Sequence, residues 1–200
     1  MLEKTLAHIG YAMITAASAS GITYDNVAWL ESTKAGGREI SSEPQGELQE
    51  EHADGVIVFS HDTNGGYKHN LTLLSALDSV DKDWLGKIEL ADGSIVEVAD
   101  GHVQPRFALL VAKELINEDK LYAVDIYYNT TASRYTKSAK SNKPGENIDF
   151  EFPQYSLSSR PIETNKVVTQ KMYCDTLPTT INLPTLPEPD SEADDAEDDN

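Results

Sequence analysis

The chain has 200 residues, of which 39% are hydrophobic and 25% charged, and its formal net charge is -18 at pH 7. This length suits one domain with a proper core. The acidic balance argues against a surface that grips nucleic-acid phosphates or an anionic membrane, and the single cysteine, Cys174, excludes an internal disulfide and indicates a reducing compartment.

The first part of the chain alternates with a period of two, which is typical of β-strands. Ile9 to Met13, Val27 to Trp29 and Tyr67 to Leu73 each place their apolar side chains on one face. Between Lys34 and Gly66 the sequence is long, polar and acid-rich, which predicts a functional or disordered loop. No stretch has the length and apolar character of a membrane span.

One segment, "LLSALDSVDKDWLG", breaks the strand pattern. Apolar residues recur in it at helical spacing, Ser75 is placed to cap the first turn, and Gly86 stands where a helix ends. We expect a helix of about three turns, packed on the sheets through an apolar stripe. The stripe consists of Leu73, Leu77, Val80 and Trp84.

The second half predicts two hairpins and two further strands. Asp92-Gly93 marks a tight turn in "KIELADGSIVEV", and "RFALLVAKEL" pairs with "LYAVDIYYNT", a strand with two partly apolar faces that should be covered on both sides. "NIDFEF" predicts a strand with Ile148, Phe150 and Phe152 inward and Asp149 and Glu151 outward, and "RPIETNKVVTQKMYCDT" predicts the last strand.

The chain therefore divides into a β-domain, residues 1–178, and a tail, residues 179–200, that is Pro-rich and then acidic. After Pro187 the tail carries eight acids and no base, and we expect it to be disordered from about residue 184.

The sequence contains no recognisable catalytic or cofactor motif. A nucleophile elbow, a phosphate-binding loop, a dinucleotide fingerprint and a zinc-binding helix are all missing. The five histidines lack ligand spacing, and "HDTNGG" lacks the closing glutamate of a calcium loop. We expect no metal, no cofactor and no enzymatic activity.

The order of these pieces resembles the major tail protein of long non-contractile tailed bacteriophages. The resemblance spans roughly residues 8 to 175 and is carried by the "HIGYAMIT" strand, the acidic segment ending in "HADGVIVFSHDTNGGYKHNLTL", the helix closing on "WLG", and "YAVDIYYN" followed by "IDFEF". It implies a mainly β, sandwich or barrel-like tail tube fold with one flanking α-helix and long loops.

The resemblance also implies a structural virion protein, assembled in the host cytoplasm. Its subunits would form hexameric rings that stack into a tail tube, through which DNA passes without specific binding. The tape measure protein, the tail terminator and the distal tail protein would be its partners.

Two sets of charged residues could have a role in this assembly. Arg134, Lys137, Lys140 and Lys143 form a basic run that could meet the acidic segment 43–54 of a neighbouring subunit, or be a solvated loop. A second set of residues could form an acidic face, which would line the lumen, lie between rings or face the outside solvent. These residues are Glu47, Glu50, Glu51, Asp54, Asp149 and Glu151.

The alternative from another class is a monomeric β-sandwich module that binds carbohydrate. It would stack sugars on exposed aromatic side chains such as Tyr127, Tyr135 or Tyr155. A two-carboxylate glycosidase is a third and weaker reading, because nothing in the sequence marks one carboxyl group as protonated and its partner as ionised.

Overall fold

The structure, a computed structural model, describes residues 2–18, 21–53, 56–99, 103–116, 119–136 and 150–187. Strands dominate it, as predicted. They are β1 (Leu2–Ser18), β2 (Gly21–Tyr24), β3 (Ala28–Trp29), β4 (Gly37–Gln45), β5 (Leu48–Ala53), β6 (Val56–Asp62), β7 (Gly66–Leu73), β8 (Ile88–Glu89), β9 (Ile95–Val96), β10 (Phe107–Ile116), β11 (Tyr122–Ser133), β12 (Gln154–Ser159) and β13 (Thr169–Cys174). The helices are α1 (Ser32–Ala35) and α2 (Asp78–Leu85).

Most strands join one antiparallel sheet in the order β2-β1-β10-β11-β12-β7-β4, with β3 added to β1 and β13 added to β11. Two long strands change partners along their length. β1 pairs first with β10 and then with β2, while β11 pairs first with β13 and then with β12. The sheet therefore folds over itself, and the predicted mainly β, sandwich-like fold is confirmed.

The first apolar cluster fills the space inside the curled sheet and under α2. Its centre is Trp84, whose ring stacks on Phe107 at 4.9 Å between ring centroids and meets Tyr11 and Tyr155 edge-on. Burial of each such side chain stabilises by roughly 1.5 to 3 kcal/mol. Edge strand β4 packs closely on β1 at Gly37. A Cβ added there would lie only 2.4 Å from Ile9 Cγ1, so the contact leaves no room for a side chain.

A second apolar cluster lies on the other face of β1, β10 and β11. Leu110, Ile126 and Tyr128 are buried there, under a cover that includes Ile162 and Ile181. The prediction that the β11 strand has two covered faces is therefore confirmed. Because Ile181 belongs to this cover, the beginning of the segment predicted as tail packs against the β-domain.

The predicted helix is shorter than expected. Leu73 belongs to β7, where it pairs with Gly37, so α2 has two turns instead of three. The Ser75 hydroxyl bonds the Lys34 carbonyl oxygen and does not cap α2, which has no side-chain cap at its N-terminus. The predicted end is confirmed, since Gly86 adopts a φ of 67°.

The prediction of a loop between Lys34 and Gly66 is wrong, because this segment contains the end of α1 and strands β4 to β6. Many of its side chains are exposed, so burial imposed little apolar alternation that would reveal the strands.

The strand predicted over "NIDFEF" is wrong for residues 150–152. Phe150 is 68% exposed instead of inward, and the strand begins after Pro153, at Gln154. Ile148 and Asp149 lie outside the described residues. The last predicted strand is shorter than expected, because residues 160–168 form a turn and its flanks before β13. The Asp92-Gly93 hairpin is confirmed as β8 and β9.

Candidate functional site

A two-stranded hairpin stands apart from the main sheet. Strands β5 and β6 pair with each other and with none of the other described strands. At the base, the Glu47 N–H donates to Thr63 Oγ1 at 2.9 Å, and this hydroxyl donates to the Glu47 carbonyl oxygen at 3.1 Å. We call residues 46–63 the acidic arm, because they contain five acids and no lysine or arginine.

The arm exposes apolar side chains beside its acids. Leu48, Val56 and Phe59 are 61%, 64% and 55% exposed. An isolated two-stranded hairpin is marginally stable at best in water, and packing against another surface is what usually stabilises one. The arm thus has both the charge and the apolar area of a contact surface.

The structure divides the predicted acidic residues among separate places. Glu47 and Glu50 are exposed on the arm, and Glu51 belongs to β5 by its backbone. Glu151 lies just before β12, outside the arm. Asp54 and Asp149 lie outside the described residues.

Of the predicted basic run, the structure describes Arg134, which directly follows β11. Its Nε lies 2.8 Å from Glu97 Oε1 of the same chain. Arg134 and Glu151 both line one cleft of ≈ 690 Å³. Lys137, Lys140 and Lys143 lie outside the described residues.

The acidic arm and Arg134 are at opposite ends of the strands between them. β4 pairs with β7 from Gly37–Leu73 at one end to Gln45–Gly66 at the other, and the arm continues from the second end. Gln154 pairs with Thr72 near the first end, and Ser133 pairs with Ser156 on the same side. The basic run therefore begins at the end of the sheet away from the arm.

A buried acid holds the segment where the basic run begins. Asp81, on α2, accepts hydrogen bonds from Tyr135 Oη (3.1 Å) and Tyr155 Oη (2.9 Å) and forms an ion pair with Lys87. Burial, followed by the nearby Asp81 charge, raises the pKa of both Tyr135 and Tyr155. The sequence does not reveal this network, because Asp81 looks like an ordinary solvent-facing acid of a helix.

Strands β4, β7 and β12 turn a polar face away from the first cluster. Ser41, Asn70 and Ser156 lie side by side across the three strands. Hydroxyl and amide groups dominate, with acids on β4 and one lysine on β7. The residues are Glu39, Ser41, Glu43, Lys68, Asn70, Thr72, Gln154, Ser156 and Ser158.

His69 lies beneath this face, with 0% of its surface exposed. Its Nδ1 is 2.7 Å from Ser42 Oγ and its Nε2 is 2.8 Å from Ser159 Oγ, so it links β4, β7 and β12. Burial lowers the pKa of His69 to about 4, so the ring is neutral at pH 7. Each ring nitrogen of His69 thus has a hydroxyl partner.

The aromatic side chains named for sugar stacking do not form an exposed platform. Tyr127 and Tyr155 are 7% and 1% exposed, and Tyr135 is half-buried against Tyr155. Within the described residues there is no group of three or more metal-ligating side chains, and neither helix is long and apolar enough to cross a bilayer.

No protein-family model matches the chain, and no curated protein is significantly similar to it in sequence.

Proposed function

We propose that this chain is the subunit of a phage tail tube, a structural virion protein that assembles into hexameric rings stacked along a common axis. The mainly β fold and the order of its segments agree with the resemblance described above. The host cytoplasm is the proposed place of assembly, and the virion tail the final location.

The observation that carries the proposal is the placement of the acidic arm and of the start of the basic run at opposite ends of the sheet. When two complementary patches lie on different sides of a subunit, contacts are head-to-tail and can repeat. Opposite charges fix the register of such contacts and speed their formation. The exposed Leu48, Val56 and Phe59 supply apolar area to be buried in the same contact.

The polar face of β4, β7 and β12 suits the wall of a conduit. It offers hydroxyl and amide groups with two glutamates and one lysine, so it has little positive charge to bind DNA phosphates. DNA in this proposal passes without specific binding. The tape measure, tail terminator and distal tail proteins remain proposed partners, and the proposal needs no cofactor or catalytic residue.

The test is a charge exchange between arm and basic run. One variant carries Glu47→Lys and Glu50→Lys, and the other carries Lys137→Glu, Lys140→Glu and Lys143→Glu. Each variant alone should form neither rings nor tubes by light scattering and negative-stain electron microscopy. The arm of the first variant keeps a net charge of only -1, and the run of the second variant has the same sign as its arm. A mixture of the two should associate into mixed pairs, because the unaltered arm of the second variant meets the unaltered run of the first.

The matched control is Asp25→Lys with Asp119→Lys, which changes the net charge as much as the arm variant does, at residues outside the arm and the basic run. It should assemble like the unaltered chain. A monomer under all conditions of concentration and salt for the unaltered chain, or tubes from either variant alone, would contradict the proposed contact.

A further inference from the structure

The described cations that lack a salt bridge are unevenly distributed. They are Arg38, Lys68, Arg106, Arg160 and Lys166, whereas the other described lysines and arginines pair with carboxylates. Arg38 lies over the Phe152 ring, 4.1 Å from its centroid, and Lys68 lies on the polar face. The remaining three lie near one another.

Arg106, Arg160 and Lys166 surround the turn between β12 and β13. The Arg160 N–H donates to the Asn129 carbonyl oxygen at 2.9 Å, and Asn129 and Arg106 line the same cleft. The Lys166 N–H donates to the Ile162 carbonyl oxygen at 2.9 Å and closes the turn. All three side chains are exposed. We call these three residues the cationic turn; Glu163 is the acid on the same cleft.

The described chain ends beside this turn. Leu186 and Lys166 line one cleft, so the last described residues lie close to the cationic turn. Residues 188–200 contain eight acids and no lysine or arginine. Thirteen residues span at most about 45 Å when extended, which is ample to reach Arg106 and Arg160.

We propose that the acidic segment 188–200 binds the cationic turn of its own chain. Among the described residues, the turn presents three cations without a carboxylate partner, in a protein with a net charge of -18. The segment therefore meets attraction here and repulsion over most of the surface. The short tether gives it a high effective concentration. Exposed ion pairs are individually weak, so the contact depends on several at once and on salt. The proposal concerns a single chain and is independent of tube assembly.

Carbodiimide cross-linking tests this contact, because it joins a lysine amine to a carboxylate that touches it. Equal amounts of ¹⁴N and ¹⁵N full-length chains, mixed at a dilution that keeps them monomeric, separate contacts within a chain from contacts between chains. We expect peptides from 188–200 on Lys166 at a yield at least about threefold above that on Lys68, within one isotope, because tethering favours the intramolecular site. About 1 M NaCl, where the screening length is about 3 Å, should abolish them.

A variant separates binding from mere proximity. Arg106→Gln with Arg160→Gln leaves Lys166 and the tether unchanged, and we expect it to lower the Lys166 yield at least about threefold, because two of the three cations are gone. The matched control, Arg38→Gln with Arg134→Gln, should leave the yield unaltered. Equal yields on Lys68 and Lys166, no effect of the Arg106 and Arg160 changes, or cross-links only between isotopes would overturn the proposal.

Discussion

The Asp81 network contains a buried ion pair, and replacing Asp81 by Asn should destabilise the fold strongly. The side chains of Asp81 and Lys87 are 9% and 6% exposed, so Asp81→Asn would leave the Lys87 charge buried without its counter-charge. Breaking a buried pair in this way costs about 3 to 5 kcal/mol. The hydrogen bonds from Tyr135 and Tyr155 would be weakened at the same time.

Urea unfolding followed by tryptophan fluorescence measures this loss, since Trp84 is on the same helix. With a urea dependence of about 2 kcal/mol/M, a loss of about 3 to 5 kcal/mol lowers the midpoint by about 1.5 to 2.5 M. The control is Lys82→Gln on the same helix. It removes an exposed contact with Glu89 of β8 and should lower the midpoint far less than Asp81→Asn does. Equal midpoints for the two variants would refute the argument.

Two further predictions concern β7. His69 has a pKa of about 4 in the fold against an ordinary 6.5, so the unfolded chain takes up the proton first and stability falls as the pH drops from 6.5 towards 4. At pH 5 this loss is about 2 kcal/mol. To measure it, the free energy of unfolding is determined against pH for the unaltered chain and for His69→Gln, which cannot titrate at this position. A difference between the two that stays constant with pH would contradict the prediction. Gly66 has a φ of 105°, and an added Cβ would lie 1.9 Å from the Ser159 carbonyl oxygen. Gly66→Ala should therefore cost more than about 2 kcal/mol in thermal unfolding, clearly above Gly93→Ala, whose turn is open.

The sequence predicts those parts of the fold in which burial imposes a pattern. The apolar alternation of Ile9 to Met13 and of Tyr67 to Leu73 is present because one face of each strand contacts the first cluster. The two apolar faces of β11 likewise follow from its position between the two clusters. In these segments the periodicity of side chains is a direct consequence of contact with a core.

The acidic arm could not be predicted in this way, because its strands pair only with each other among the described strands and its described side chains are largely exposed. Strand register then has little influence on which side chains are polar. The Ser75 cap failed for a different reason. Ser75 matches the capping pattern, but its hydroxyl bonds the Lys34 carbonyl oxygen, a contact between segments distant in sequence.

The candidate site was only partly predictable for a related reason. The sequence shows the sign of each charged segment, but the end of the sheet at which each one lies depends on the pairing of β4, β7, β11 and β12. Arg134 also has a partner, Glu97, that is 37 positions away in sequence and is brought near by the fold.

The charge distribution also distinguishes between modes of self-association. A two-fold dimer joined through the arms would bring two acidic surfaces together, and one joined through the basic runs would do the same for cations, so both are disfavoured. A head-to-tail contact pairs an arm with a basic run and leaves one unused arm and one unused run at the ends. Growth of such an assembly is not limited by the subunit itself, so a tube built this way needs other proteins to begin and end it. A tube with a defined start and stop is what the proposed partners, the distal tail protein and the tail terminator, would supply.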